Sequence, residues 1–116
     1  MTSTTDIEKS KALTIVEVIE YVLNSVVSKT IIKKSTGTVS VVAIDTGEGL
    51  TEKTSPFDTF AQIIEGRAEI VINGNSNILE TGQSIIVPAY TAHVVKANER
   101  FKMILTTIKG GDNPVL

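Results

Sequence analysis

The sequence predicts an all-β chain, either a sandwich or a closed barrel. Strand-like runs recur every eight to twelve residues with turn residues between them. Helical patterning is scarce after residue 24. An Asn-Gly pair at 73–74 joins two such runs, and both positions accept the positive φ that a tight hairpin needs.

The elements follow in chain order. Residues 1–10 are rich in Ser, Thr and charge, the mark of a loose terminus. In "ALTIVEVIEYVL", Val16, Ile19, Val22 and Leu23 fit a helical stripe, while the β-branched content favours extended chain. A short helical turn or an irregular arm is expected there. "SVVSKTIIKK" reads as a strand, "STG" as a turn, and "TVSVVAID" as a second strand rich in β-branched residues. "TGEG" ends it.

"TFAQIIEG" is a strand that Gly66 closes. "RAEIVI" alternates, with Ala68, Ile70 and Ile72 on one face and Arg67, Glu69 and Val71 on the other. "NSNIL" completes the hairpin, and "ETGQ" turns the chain. "SIIVP" is a strand stopped by Pro88, which has no N–H for the ladder. "HVVKA" and "FKMILTTIK" follow, separated by the turn "NER", and "GGDNPVL" is a tail of breaker residues. Phe60, Ile63, Phe101, Met103 and Leu105 are the expected core.

Composition sets further bounds. A chain of 116 residues fits one domain, taken as 1–116. Hydrophobic residues at 41% and charged residues at 21% match a soluble globular protein. With 11 Lys+Arg against 13 Asp+Glu there is no basic excess to neutralise phosphates, so no nucleic-acid partner is expected. The absence of cysteine excludes disulfides, thiolate catalysis and Cys-based zinc sites. No apolar run is long enough to cross a bilayer. "MTSTTDIEKSKAL" is polar and lacks an apolar signal core, so a cytoplasmic location is expected.

The only histidine lies in "GQSIIVPAYTAHVV". Gly82, five residues, Pro88, Ala89, Tyr90, two residues and His93 resemble the second motif of small cupins. In that motif Gly usually stands where Tyr90 is, and Asn where Ala97 is, with Asn98 one step late. The hairpin "INGN" and the strand ending "IIEG" also sit where cupins place them. The resemblance spans roughly residues 40 to 108. It implies a double-stranded β-helix, or jelly-roll barrel, preceded here by a short N-terminal arm. It also implies a pocket between the sheets, which in metal-bearing members holds three His and one Glu.

The first cupin motif would supply two His and the Glu. Counting back from Gly66 puts Thr59 in the Glu position. The His positions fall on Lys53 and Ser55, or on Glu52 and Thr54 with the longer spacer. One imidazole with distant carboxylates makes a poor transition-metal site. The expectation is therefore a small-molecule-binding barrel with neither metal nor other cofactor and no assigned catalytic residue. Its candidate ligand-binding residues are His93, Lys53, Asp58, Tyr90, Phe60 and Met103. The alternative is a metal-dependent isomerase or dioxygenase using His93 with Glu52 or Asp58. By strand alternation, Asp58 turns away from Thr59 unless a bulge intervenes. Small cupins often pair, and the apolar arm "LTIVEVIEYVLNSVV" could cover a partner's sheet, so a homodimer is expected.

Overall fold

The computed structural model describes residues 7–109, which leaves most of the expected loose terminus and the whole "GGDNPVL" tail outside the described residues. Eight strands follow a single 3-10 turn at Ile15–Glu17: β1 (Val26–Lys34), β2 (Gly37–Ile44), β3 (Gly49–Lys53), β4 (Asp58–Ile72), β5 (Asn75–Glu80), β6 (Ser84–Val87), β7 (His93–Lys96) and β8 (Phe101–Ile108). All strand pairs are antiparallel.

β4 decides the architecture. Its first half lies between β8 and β6, and its second half lies between β7 and β5. One sheet therefore runs β1-β2-β8-β4-β6 and the other β3-β7-β4-β5, joined through a shared strand. The sequence placed a strand end at Gly66, but the strand runs through it. Gly66 has φ 88, and the β4–β8 register shifts between Ile63 and Glu65. A glycine tolerates that backbone, so the strand bends from one sheet into the other without breaking.

β3 was missed because "GLTEK" carries little β-propensity of its own. It is held by its ladder to β7. The Asn-Gly hairpin is as expected, with φ 51 at Asn73 and φ 83 at Gly74.

The main core lies between the sheets. Ile44, Ile63, Ala68, Ile70, Phe101 and Met103 are buried there. Phe60 is not among them. It is 39% exposed and pairs across the outer face with Ile86. The reason is the period of two: Ala61 and Ile63 point inward, so Phe60 cannot.

A second cluster forms on the outer face of the first sheet, where Val41 and Ala43 of β2 meet Ile19, Val18 and Tyr21 of the arm. The sequence offered a partner's sheet as the seat of this arm. Its seat is in the same chain, because the outward side chains of β2 are apolar and need cover. Val22 and Leu23, placed in the helical stripe, are exposed.

Polar bonds clasp the arm. Lys102, nearly buried, donates from Nζ to the Val16 carbonyl at 2.6 Å. The Tyr21 hydroxyl donates to Glu65 Oε2 at 2.7 Å, and Arg100 stacks over the Tyr21 ring. The Asp45 carboxylate accepts the Asn24 N–H at 2.8 Å, and that bond, with help from Arg100, holds its pKa below the ordinary value.

Burial, then the hydrogen bond and charge of Glu65, push the Tyr21 phenol well above its usual 10.0. The folded state thus holds this proton more tightly than the unfolded chain does. That stabilisation is complete below pH 10.0 and is lost as pH climbs toward the folded value. Tyr21→Phe is expected to cost about 1 kcal/mol at neutral pH. It should also flatten the alkaline loss, read as urea midpoints at neutral pH and about pH 11. Parallel alkaline losses in parent and variant would refute the role given to this phenol.

Candidate functional site

At one end the barrel is filled, and at the other it opens into a cavity of about 300 Å³. The buried Met103 closes its floor, with Ala61, Ile70 and Val95 beside it. Successive inward positions of β8 then climb the wall as Leu105 and Thr107, and Lys109 continues the series beyond the strand.

The opposite wall comes from β3 and β7. Lys53 is the register partner of His93, which also pairs with Ile72 of β4. Both Lys53 and His93 line the cavity. His93 Nδ1 lies 3.4 Å from the Thr91 carbonyl, a long contact.

Ser55 and Thr59 line the same space. The Thr59 and Thr107 hydroxyls lie 3.2 Å apart across β4 and β8. Ser55 Oγ accepts the Phe57 N–H at 3.1 Å, which turns the Phe57 side chain into the cavity wall.

The four positions named by motif counting therefore converge. Lys53, Ser55, Thr59 and His93 share one cavity, which selects the shorter spacer over Glu52 and Thr54. Glu52 and Asp58 lie outside the lining. Asp58 is exposed, and its Oδ1 accepts the Ala89 N–H at 2.8 Å. The alternation that set it opposite Thr59 holds.

Tyr90 is 78% exposed and also lies outside the lining. Its N–H donates to the Ser55 carbonyl at 2.6 Å. It stands at φ 61, which explains why the motif favours glycine here: an L side chain is strained in that region. Asp58 and Tyr90 thus brace the loop after Pro88 against the 55–58 turn. Ala97 is buried in the core, and Asn98 bonds Glu69 on the outside. Of the expected ligand-binding residues, His93, Lys53 and Met103 meet at the cavity, and Asp58, Tyr90 and Phe60 do not.

Thr107 and Lys109 escaped sequence reading, as did Phe57. The signal for the first two was present, since counting by twos from Met103 reaches both. Phe57 falls between Ser55 and Thr59 on the same count by twos, although it stands in a turn and not in a strand.

The sequence model of the Cupin domain family matches residues 40–109, more than half of the chain. The chain is a cupin. Solved structures agree. A conserved protein of unknown function from Streptococcus pyogenes is 28% identical, with 96% of this chain and 97% of that chain covered and a TM-score of 0.86. A cupin superfamily protein from Desulfitobacterium hafniense is 24% identical over 94% and 100% of the two chains, with a TM-score of 0.85, a likeness of fold. A cupin 2 conserved barrel domain protein from Leptotrichia buccalis is 29% identical over 81% of this chain and 46% of that chain, at a TM-score of 0.78. Among curated proteins, none matches.

The metal that many cupins hold needs imidazole and carboxylate donors. In this cupin the corresponding set is an ammonium, two hydroxyls and one imidazole, at Lys53, Ser55, Thr59 and His93. These residues do not fit a transition-metal ion. Among the described residues, no group of three or more His, Cys, Asp or Glu is placed to hold one. No helix among them is long and apolar enough to cross a membrane.

Proposed function

We propose that this cupin is a small-molecule-binding barrel that works without the metal site of its metal-bearing relatives. The supporting observation is the cavity that keeps the family's four positions while three of them carry Lys53, Ser55 and Thr59. A lysine ammonium repels a cation, and a hydroxyl is a weak donor to transition metals. What survives is an apolar floor under a polar mouth, the usual make-up of a ligand pocket.

The alternative, a metal-dependent isomerase or dioxygenase built on His93, loses support from the positions of Glu52 and Asp58. Both residues are exposed and lie outside the cavity that His93 lines.

A homodimer and a cytoplasmic location belong to the same proposal. The dimer is supported by the apolar side chains left on the outer faces, Ile86 at 61% exposure and Ile32 at 50% among them.

Two readouts on untagged protein, purified without chelators, test the proposal. Elemental analysis should find far less than one transition-metal ion per chain, with no change in His93→Ala. Light scattering should return twice the chain mass. A stoichiometric metal that vanishes in His93→Ala would restore the enzyme reading. A monomer would remove the dimer alone.

A further inference from the structure

We infer that the cavity selects a small amphipathic organic anion, a carboxylate carried on an apolar body. This deepens the binding-barrel reading and rests on it.

The charge at the opening points one way. Lys53 and Lys109 both line the cavity, and among the described residues no aspartate or glutamate does. Both lysines are exposed, so they sit where the cavity meets solvent. Neither forms an ion pair among the described residues. Two cations above low-dielectric walls focus a positive potential into the opening.

The hydroxyls below have protons to give. Ser55 Oγ uses a lone pair on the Phe57 N–H, which leaves its own O–H free. Thr59 and Thr107 share one bond between them, so one of their two hydroxyl protons is unused. An anion's oxygens would therefore meet ammonium groups and O–H donors on the same rim.

Deeper in, the partners change. Leu105, Met103, Ala61 and Val95 offer no hydrogen bond to a ligand. Inorganic phosphate would leave this floor unfilled, whereas a short alkyl or aryl group would cover it. The cavity of about 300 Å³ lies at the small end of the usual range for ligand pockets, which suits a small acid.

Two probes are easy to read. His93 is the sole histidine, and Met103 is one of only two methionines, so the ring and methyl signals assign themselves by NMR. Hexanoate and benzoate would be titrated beside hexan-1-ol and benzyl alcohol, with inorganic phosphate as a further arm. The acids should shift both signals together, with dissociation constants of about millimolar and about ten-fold tighter than the alcohols. Raising the salt from about 0.05 M to about 0.5 M should weaken the acids and leave the alcohols unchanged.

A Lys53→Met/Lys109→Met variant should bind acid and alcohol alike, and Lys53→Arg/Lys109→Arg should keep the preference. Alcohols that bind as tightly as the acids would overturn the anion inference and leave the binding barrel standing. So would acid binding that survives the double methionine variant, or phosphate binding that outcompetes the acids. If neither acids nor alcohols move the His93 and Met103 signals, the binding-barrel reading falls as well.

Discussion

Gly66→Ala is expected to cost about 2–5 kcal/mol, a large share of the stability of a domain this size. Two causes add. The backbone stands at φ 88, where a Cβ is strained on its own account. The added Cβ would also lie 2.6 Å from the Arg100 carbonyl oxygen and 2.9 Å from Phe101 Cβ. Neither can withdraw cheaply, because one is the backbone carbonyl that leads into β8 and the other is the root of the fully buried Phe101, the register partner of Gly66. Urea midpoints give the answer directly. A loss below about 1 kcal/mol would mean that the crossing from one sheet to the other is not held as described.

Phe101→Ala should cost about 3–5 kcal/mol, the range for removing a fully buried aromatic ring. Phe101 pairs with Ile44 on one side and Gly66 on the other, in the filled end of the barrel. Thr107 lies six residues further along β8, roughly 20 Å away at strand rise. The milder Phe101→Leu should cost about 1 kcal/mol and leave hexanoate binding within two-fold. Stability and binding are thus assigned to opposite ends of one strand. Loss of hexanoate binding in a folded Phe101→Leu protein would show that the two ends are not separate.

The two predictions share a physical basis. A small barrel has one interior, and each inward position either fills it or lines what is left open. Near Gly66, Phe101 and Ile44 fill it. Near Lys53, His93 and Thr107, shorter and polar side chains leave the 300 Å³ cavity. Exposed lysines at that rim contribute little to folding, so substitutions there should read out in binding alone.

Much of this was legible beforehand. The hairpin at Asn73-Gly74 was readable because two consecutive left-handed residues leave few alternatives. Six of the eight strands lay where β-branched runs and turns put them, and β4 was read as two strands divided at Gly66. β3 was invisible because its stability comes from β7 and not from its own residues. Phe60 misled because an aromatic ring suggests burial by its size, while its direction is fixed by Ala61 next to it.

The candidate site divides along the same line. Motif spacing located His93, Lys53, Ser55 and Thr59, because spacing along a strand is a property of the chain. It could not choose between Lys53 with Ser55 and Glu52 with Thr54, since one residue of register exchanges every inward side chain for its outward neighbour. The ladder between β3 and β7 made that choice by setting Lys53 opposite His93.

What the sequence determined by itself was the all-β class, the order of turns and the lack of metal ligands at the three first-motif positions, all of them local in the chain. The tertiary structure alone decided that the arm seats on its own β2, that Asp58 and Tyr90 brace a loop outside the cavity, and that Thr107 and Lys109 join Lys53 at its opening. Those facts depend on which strands become neighbours, and long-range pairing is settled by burial across the whole sheet, not by any one segment.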